Sequence, residues 1–353
     1  MALICFTLHQ RAFCMAAIVL MLFSPNGMFA AAQKESQPEI VDERLIIFTP
    51  HELEPVETAV KEFQETYGIL VTVVQGGTGE LLGQIRKNLN HEYPACDVFW
   101  GGGSESIEAN ADLFQPIVGL DTSSIPELYR GSDDLWIGES PAPVVLIYNT
   151  ILVGPEQVPT HWASLLDPMW KGKIAYADPT LSGSAYTLLC TMLSAMGGAG
   201  NGGWTYIDQL VENLDGRILS SSSDAYSLVA QGEFYIGLTQ EKSATTAINN
   251  GATIAISYPG EGTSSVPDAV AIVKGTQRYD LALQFIDFIL GFENQRVMAT
   301  LYNRRPVREG LPPPKGLLEM NEIRLVEYDL AWAATNKAAI LRAWSKILEH
   351  HKR

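Results

Sequence analysis

Between Leu45 and Ser104 the chain alternates short apolar runs with longer segments that are apolar on one face only, and this alternation constrains the fold more than any other feature. Leu45-Ile46-Ile47-Phe48 is rich in β-formers, and Thr49-Pro50-His51-Glu52 after it reads as a helix entry with a capping box. Val56, Val60, Phe63 and Tyr67 then recur at helical spacing until Gly68 ends the pattern. Residues 69–74 read as a second strand, and Gly76-Gly77-Thr78-Gly79 opens a second helix carrying Leu81, Leu82, Ile85 and Leu89. Asp97-Val98-Phe99-Trp100 is a third strand, followed by Gly101-Gly102-Gly103-Ser104 and a further helix. This β-α-β-α-β order predicts an α/β fold with a parallel sheet covered by helices.

The same grammar returns downstream. Lys173-Ile174-Ala175-Tyr176-Ala177, Arg217-Ile218-Leu219 and Phe234-Tyr235-Ile236-Gly237-Leu238 each run into a polar junction and then a helix. Buried-strand runs, residues 143–149 and 269–273, flank this second group. They are expected to be two crossings between lobes. The implied division is a lobe 1 made of 33–143 plus 269–353 and a lobe 2 of 144–268, with the C-terminal third completing the first lobe.

Residues 1–32 stand apart. Arg11 precedes the uncharged apolar run Ala12 to Phe23, and Ala30-Ala31-Ala32 supplies a small-residue cleavage site. The run is too short for the roughly 20 residues that span a bilayer, so a signal peptide is expected. Export implies an oxidising compartment, yet only Cys96 and Cys190 follow the leader. Both lie in apolar runs, so two separate buried thiols are expected in preference to a disulfide. With 24 Lys and Arg against 40 Asp and Glu, the formal charge is −16 and no basic block occurs. Nucleic acid is therefore excluded as a partner.

In an open parallel sheet, ligands bind beyond the carboxyl ends of the strands, where helix N-termini present unpaired N–H groups. All six strand-to-helix junctions here are rich in Gly, Ser, Thr, Pro and Asp. None carries Lys or Arg ahead of its helix. Two lobes facing each other with such edges make a cleft suited to an anion or a sugar-like ligand, held by N–H dipoles and hydroxyls. Any one junction taken alone reads equally as helix capping. His51 is the histidine on a candidate binding loop, Ser182 lies in the junction before the helix at 185–196, and Trp100 fits either core packing or ligand stacking. Asp224 and Glu241 could accept ligand hydroxyls or serve their own helix dipoles. The loop after Gly77 misses the dinucleotide fingerprint by one residue of spacing, no Gly-x-Ser-x-Gly elbow occurs, and no metal-type Cys/His spacing exists. No catalytic residue, metal or cofactor is assigned. A secreted hydrolase is the alternative from a different class.

The order of a leader, residues 45–49, Gly76-Gly77-Thr78-Gly79, Asp97 to Gly102, Trp170-Lys171-Gly172-Lys173-Ile174-Ala175 with Asp178-Pro179 and Ser182-Gly183, and Asn303-Arg304-Arg305-Pro306-Val307-Arg308 resembles family 1 extracellular solute-binding proteins of ABC importers. It is most similar to the branch holding ferric-ion-, hexose-phosphate- and phosphonate-binding periplasmic proteins. The resemblance implies a type II periplasmic-binding fold of two α/β lobes that close by hinge bending. It further implies a periplasmic, monomeric protein that delivers a small-molecule ligand to an ABC permease in the inner membrane, or a sensory protein using the same cleft. Iron binders of that family carry adjacent tyrosines near the segment that here reads Gly237 to Lys242, and no Tyr-Tyr pair occurs in this chain. The organic-anion branch is therefore expected, with ferric ion as the alternative. Thr49, Gly77, Thr78 and Ser104 are expected to hold a phosphate-like group, while Ser223, Asp224 and Glu241 would meet hydroxyls or an amine.

Overall fold

The computed structural model describes residues 44–89, 91, 94–200 and 202–351. The segment read as a signal peptide lies outside them. In chain order the elements are β1 (Arg44–Thr49), α1 (Leu53–Tyr67), β2 (Leu70–Gln75), α2 (Thr78–Asn88), β3 (Val98–Gly103), α3 (Ser104–Glu108), β4 (Phe114–Gln115), β5 (Ile137–Ser140) and β6 (Val144–Asn149). There follow β7 (Ile174–Ala177), α4 (Gly183–Ala195), α5 (Gly203–Leu214), β8 (Ile218–Leu219), α6 (Ser222–Ala230), β9 (Ile236–Gln240), α7 (Glu241–Asn249) and β10 (Ile254–Ser257). β11 (Asp268–Val273), α8 (Tyr279–Leu290), α9 (Phe292–Tyr302) and α10 (Leu330–His351) complete the chain. Among the described residues no helix is long and apolar enough to cross a membrane.

The strands form two sheets. The first runs β2-β1-β3-β11-β4, with β5 also paired to β11. β1 pairs in parallel with β2 and β3, as β-α-β units require, whereas β11 enters antiparallel to β3. The second sheet runs β10-β6-β9-β7-β8 and is parallel from β9 to β8. Each sheet is covered on both faces. In the first, Val56, Ala59 and Phe63 of α1 pack with Phe285 and Ile289 of α8 on one side, and Leu81, Ile85 and Phe99 build the other. Spacing of three and four residues gives α1 that single buried face, and Gly68 closes the helix at φ +72°, its N–H bonded to Gln64 O at 2.9 Å.

The expected capping box before α1 does not form. Glu52 is the N-cap residue and caps nothing, while Thr49 Oγ1 accepts from the His51 N–H at 3.1 Å in a local turn. Both lobe crossings are present, but at the starts of the runs expected to carry them: β6 itself belongs to the second sheet and β11 to the first. The chain passes between the sheets at residues 141–143 and 263–267, which lie side by side through an antiparallel bridge of Pro143 and Ser265. A third segment joins them: Thr263 N donates to Arg324 O at 2.9 Å and Val326 N to Thr263 O at 2.8 Å.

This third strap leads into the tail helix α10, which packs against both lobes. Ala333, Ile340 and Trp344 of α10 join the core of the second lobe, while Leu330 at its start packs on the core of the first and the helix lies against α3. Trp344, fully buried, stacks edge-on to Tyr176 at 5.6 Å, and Tyr186 Oη donates to Ala333 O at 2.5 Å. Cys96 and Cys190 are free and buried in different cores, and burial raises both thiols, Cys190 to about 12. They are inert packing residues. Truncating Trp344→Ala should cost about 3–5 kcal/mol in urea unfolding, the usual range for emptying a buried tryptophan site; a loss below 1 kcal/mol would mean that the tail helix is not part of that core.

Candidate functional site

A cleft of about 1260 Å³ lies between the two sheets. Its walls are the strand-to-helix junctions of both lobes, because in each sheet the parallel strands point their carboxyl ends inward. From the first lobe come the β1–α1 turn with His51, the Gly76–Gly79 loop, Gly102 and Gly103; from the second come residues 179–184, Ser220 to Ser222, Gln240 and Lys242. α2 begins at Thr78 behind an N-cap glycine, Gly77, that has no side chain to satisfy the first-turn amides. An uncapped helix start leaves backbone N–H donors without side-chain partners. By contrast α4 and α6 are capped, Ser182 Oγ accepting from Ala185 N at 3.2 Å and Ser221 Oγ from Ser223 N at 3.2 Å.

Of the residues expected at the site, His51, Gly77, Thr78 and Ser182 line the cleft. Thr49 and Ser104 are fully buried, Thr49 closing the turn before α1 and Ser104 Oγ without a hydrogen-bond partner. Ser223 is exposed and pairs with Ser221 at 2.6 Å, and Asp224 lies beside it on the same helix, neither forming the wall. Glu241 is buried under the cleft, gripped by Arg305 through Nε at 2.5 Å and Nη2 at 2.9 Å and by the Tyr258 hydroxyl. Trp100 is core: it packs edge-on to His51 and to Phe285, each at 5.4 Å.

The floor of the cleft holds an ion-pair network that sequence spacing did not reveal. Arg304 Nη2 reaches both Glu139 and Asp268, the latter at 3.0 Å. Lys242 Nζ, from the other lobe, meets Asp268 Oδ2 at 2.5 Å. His51 Nε2 lies 3.0 Å from Glu139 Oε1 but off the hydrogen-bonding axis. Its ring fits only because Gly101, at φ +114°, has no side chain: a Cβ there would stand 2.6 Å from the imidazole. Glycine is thus required by contact and by backbone at once.

Burial and the Arg304 guanidinium hold the His51 imidazole below its ordinary value, and Glu139 and Asp268 offset this only in part. For Asp268, burial alone would raise the carboxyl, yet Lys242 and Arg304 outweigh it and keep the group well below the usual carboxylate range. Glu139 is lowered in the same way, Arg304 overcoming burial. With His51 neutral, the five groups sum to zero charge. His51, Glu139 and Asp268 also bring donor atoms within 4.8 Å of one another, a spacing that could hold a cation, but the Arg304 guanidinium bridges both carboxylates.

Two α/β lobes flanking a cleft and joined by crossing segments are the architecture of the type II periplasmic binding proteins. The periplasmic binding protein AfuA from Actinobacillus pleuropneumoniae, solved with exogenous fructose 6-phosphate, superposes with a TM-score of 0.77 at 22% identity, covering 87% of this chain and 98% of that one. The chain belongs to the bacterial extracellular solute-binding protein family, whose model matches residues 58–322. Its relatives include iron uptake protein A1 of Synechocystis, 27% identical over 74% of this chain and 75% of that protein, and a putative 2-aminoethylphosphonate-binding periplasmic protein of Salmonella typhimurium, 26% identical over 71% and 73%.

Replacing Arg304→Met strands two buried carboxylates with one lysine between them and should destabilise the chain by about 3–5 kcal/mol. Acidification should act in the same direction. A neutral His51 below its unfolded value of 6.5 means that the unfolded chain binds the proton first, so its contribution is present above that pH and lost below it. Glu139 and Asp268, lowered from 4.5 and 3.8, contribute above those values and lose their contribution as pH falls through them. The urea midpoint should therefore fall between pH 7 and 5, and His51→Gln should flatten that first part while leaving the loss below pH 4.5.

Proposed function

We propose that this protein is the periplasmic, substrate-binding component of an ABC importer, capturing a small organic anion, phosphorylated or phosphonate, between its lobes and presenting it to a membrane permease. The observation that carries this reading is the uncapped start of α2 in the cleft wall, where Gly77 leaves the first-turn amides without a side-chain partner. The hydroxyl of Thr78 in that turn and those of Ser182 and Ser222 on the second lobe's side of the cleft suit phosphoryl and sugar oxygens. A relative whose name specifies a phosphonate and a fold neighbour solved with a sugar phosphate point the same way.

Ferric ion is the second reading, supported by the iron uptake relative and by the close approach of His51, Glu139 and Asp268. The tyrosines on the cleft wall do not favour it: Tyr186 Oη donates to Ala333 O, and Tyr302 Oη pairs with Thr58. A hard trivalent ion needs anionic oxygen donors, and the buried carboxylates here already share a guanidinium.

A thermal-shift screen of the chelator-washed protein against sugar phosphates, phosphonates, carboxylates, amino acids and ferric ion tests the choice. A ligand at a hundredfold excess over Kd adds about 2.7 kcal/mol of stability. A large shift with a phosphorylated or phosphonate compound, reduced in Thr78→Ala, is the expected outcome. A shift confined to ferric ion, with visible colour, would replace the anion by iron.

A further inference from the structure

The cleft wall carries four cations among the described residues: Arg86, Lys242, Arg304 and Lys337. Three of them have partners of their own. Arg86 is bidentate to Asp112 and also donates to Asn110; Arg304 is buried between Glu139 and Asp268; Lys337 Nζ rests over the Tyr186 ring at 4.8 Å. Lys242 differs because its partner has a replacement. The Asp268 Oδ2 atom that accepts from Lys242 also accepts from Arg304, so Asp268 stays paired when Lys242 leaves. One guanidinium then faces two carboxylates, so Asp268 keeps a contact while the network is left with one negative charge in excess. Lys242 is also the accessible member of the pair, its side chain 25% exposed against 7% for Asp268.

Its position matches the anion subsite. Asp268 sits opposite Gly103 where β11 meets β3, and a Cβ on neighbouring Gly102 would lie 3.2 Å from Thr78 Oγ1 at the start of α2. Lys242, Asp268, the Gly102-Gly103 pair and the first turn of α2 thus form one continuous strip across the cleft. Gln240, the N-cap residue of α7, supplies no side-chain cap either, and the first amide of that helix, Glu241 N, donates to Pro143 O at 2.8 Å.

We infer that Lys242 is the charge-selecting residue of the cleft, its ammonium passing from Asp268 to the anionic oxygens of a bound solute while Arg304 stays bonded to Asp268. The inference rests on the organic-anion reading and adds to it the residue that separates a charged solute from its neutral counterpart. Because Lys242 belongs to the second lobe and Asp268 begins a strand of the first, the exchange also releases one tie between the lobes as solute enters.

The test is titration calorimetry of the full chain with inorganic phosphate, methylphosphonate, fructose 6-phosphate, fructose and ferric ion, at low and high salt. The wild type should bind a phosphorylated probe and not fructose. Lys242→Gln should weaken that binding at least tenfold, about 1.4 kcal/mol, Lys242→Arg should retain most of it, and Lys337→Gln should change it little. Asp268→Asn, which removes the competitor, should tighten it; if that variant fails to fold, the Gln and Arg pair at Lys242 decides alone. Unchanged phosphate binding in Lys242→Gln, or the loss appearing in Lys337→Gln instead, would overturn the assignment while leaving anion capture intact. Uptake of ferric ion and no oxyanion would overturn the anion reading and Lys242 with it. Binding of none of these probes, nor of any compound in the wider screen, would overturn solute capture itself.

Discussion

The rest of the molecule is organised around one buried guanidinium. Arg304 bridges Glu139 at the end of β5 and Asp268 at the start of β11, the two strands that lead into and out of the crossings. Three side chains carrying formal charge can lie under a cleft floor only if each is paired, since an isolated buried ion is too costly to keep. Lys242 completes the balance from the other lobe, and His51 fits beside it as a neutral ring in a space that Gly101 leaves open.

Arg304 belongs to a run of three residues tied to α7, two directly and Arg304 through the shared Asp268. Asn303 Oδ1 accepts from Asn249 at 2.9 Å, Arg304 shares Asp268 with Lys242, and Arg305 grips Glu241. Asn303 takes the left-handed conformation, φ +54°, and turns the chain sharply after α9 so that two consecutive arginines point back under the cleft. Asparagine tolerates that conformation better than most residues. On the far side, Glu105 of α3 accepts from Thr187 at 2.8 Å and from Tyr328 at 2.9 Å, linking the first lobe to the second and to the returning tail. These polar contacts lie at the cleft margins, where α10 also bridges the lobes by packing on α3 and α5.

The α/β class, the order of strands and helices around β1 to α3, and the Gly- and Ser-rich edges of the cleft were all legible in the chain. They depend on local spacing: apolar residues at three- and four-residue intervals in α1, β-branched runs in the strands, glycine where φ is positive. The run Asn303 to Arg308 also stood out. Its role did not, because nothing within a few residues of Arg304 says that its partners lie at positions 139 and 268.

Sequence by itself determined that this chain folds as two layered α/β lobes whose strand ends make a polar cleft, since hydrophobic periodicity and turn chemistry act over a few residues. Tertiary structure alone decided which hydroxyls and charges face that cleft. Glu241 and Ser104 sit on binding-type loops yet are buried, Lys242 one position on reaches the floor, and the tail helix packs across both lobes. Those outcomes turn on pairings across 26 to 165 residues and on a strap that returns beside the crossings, and only the assembled core fixes such contacts.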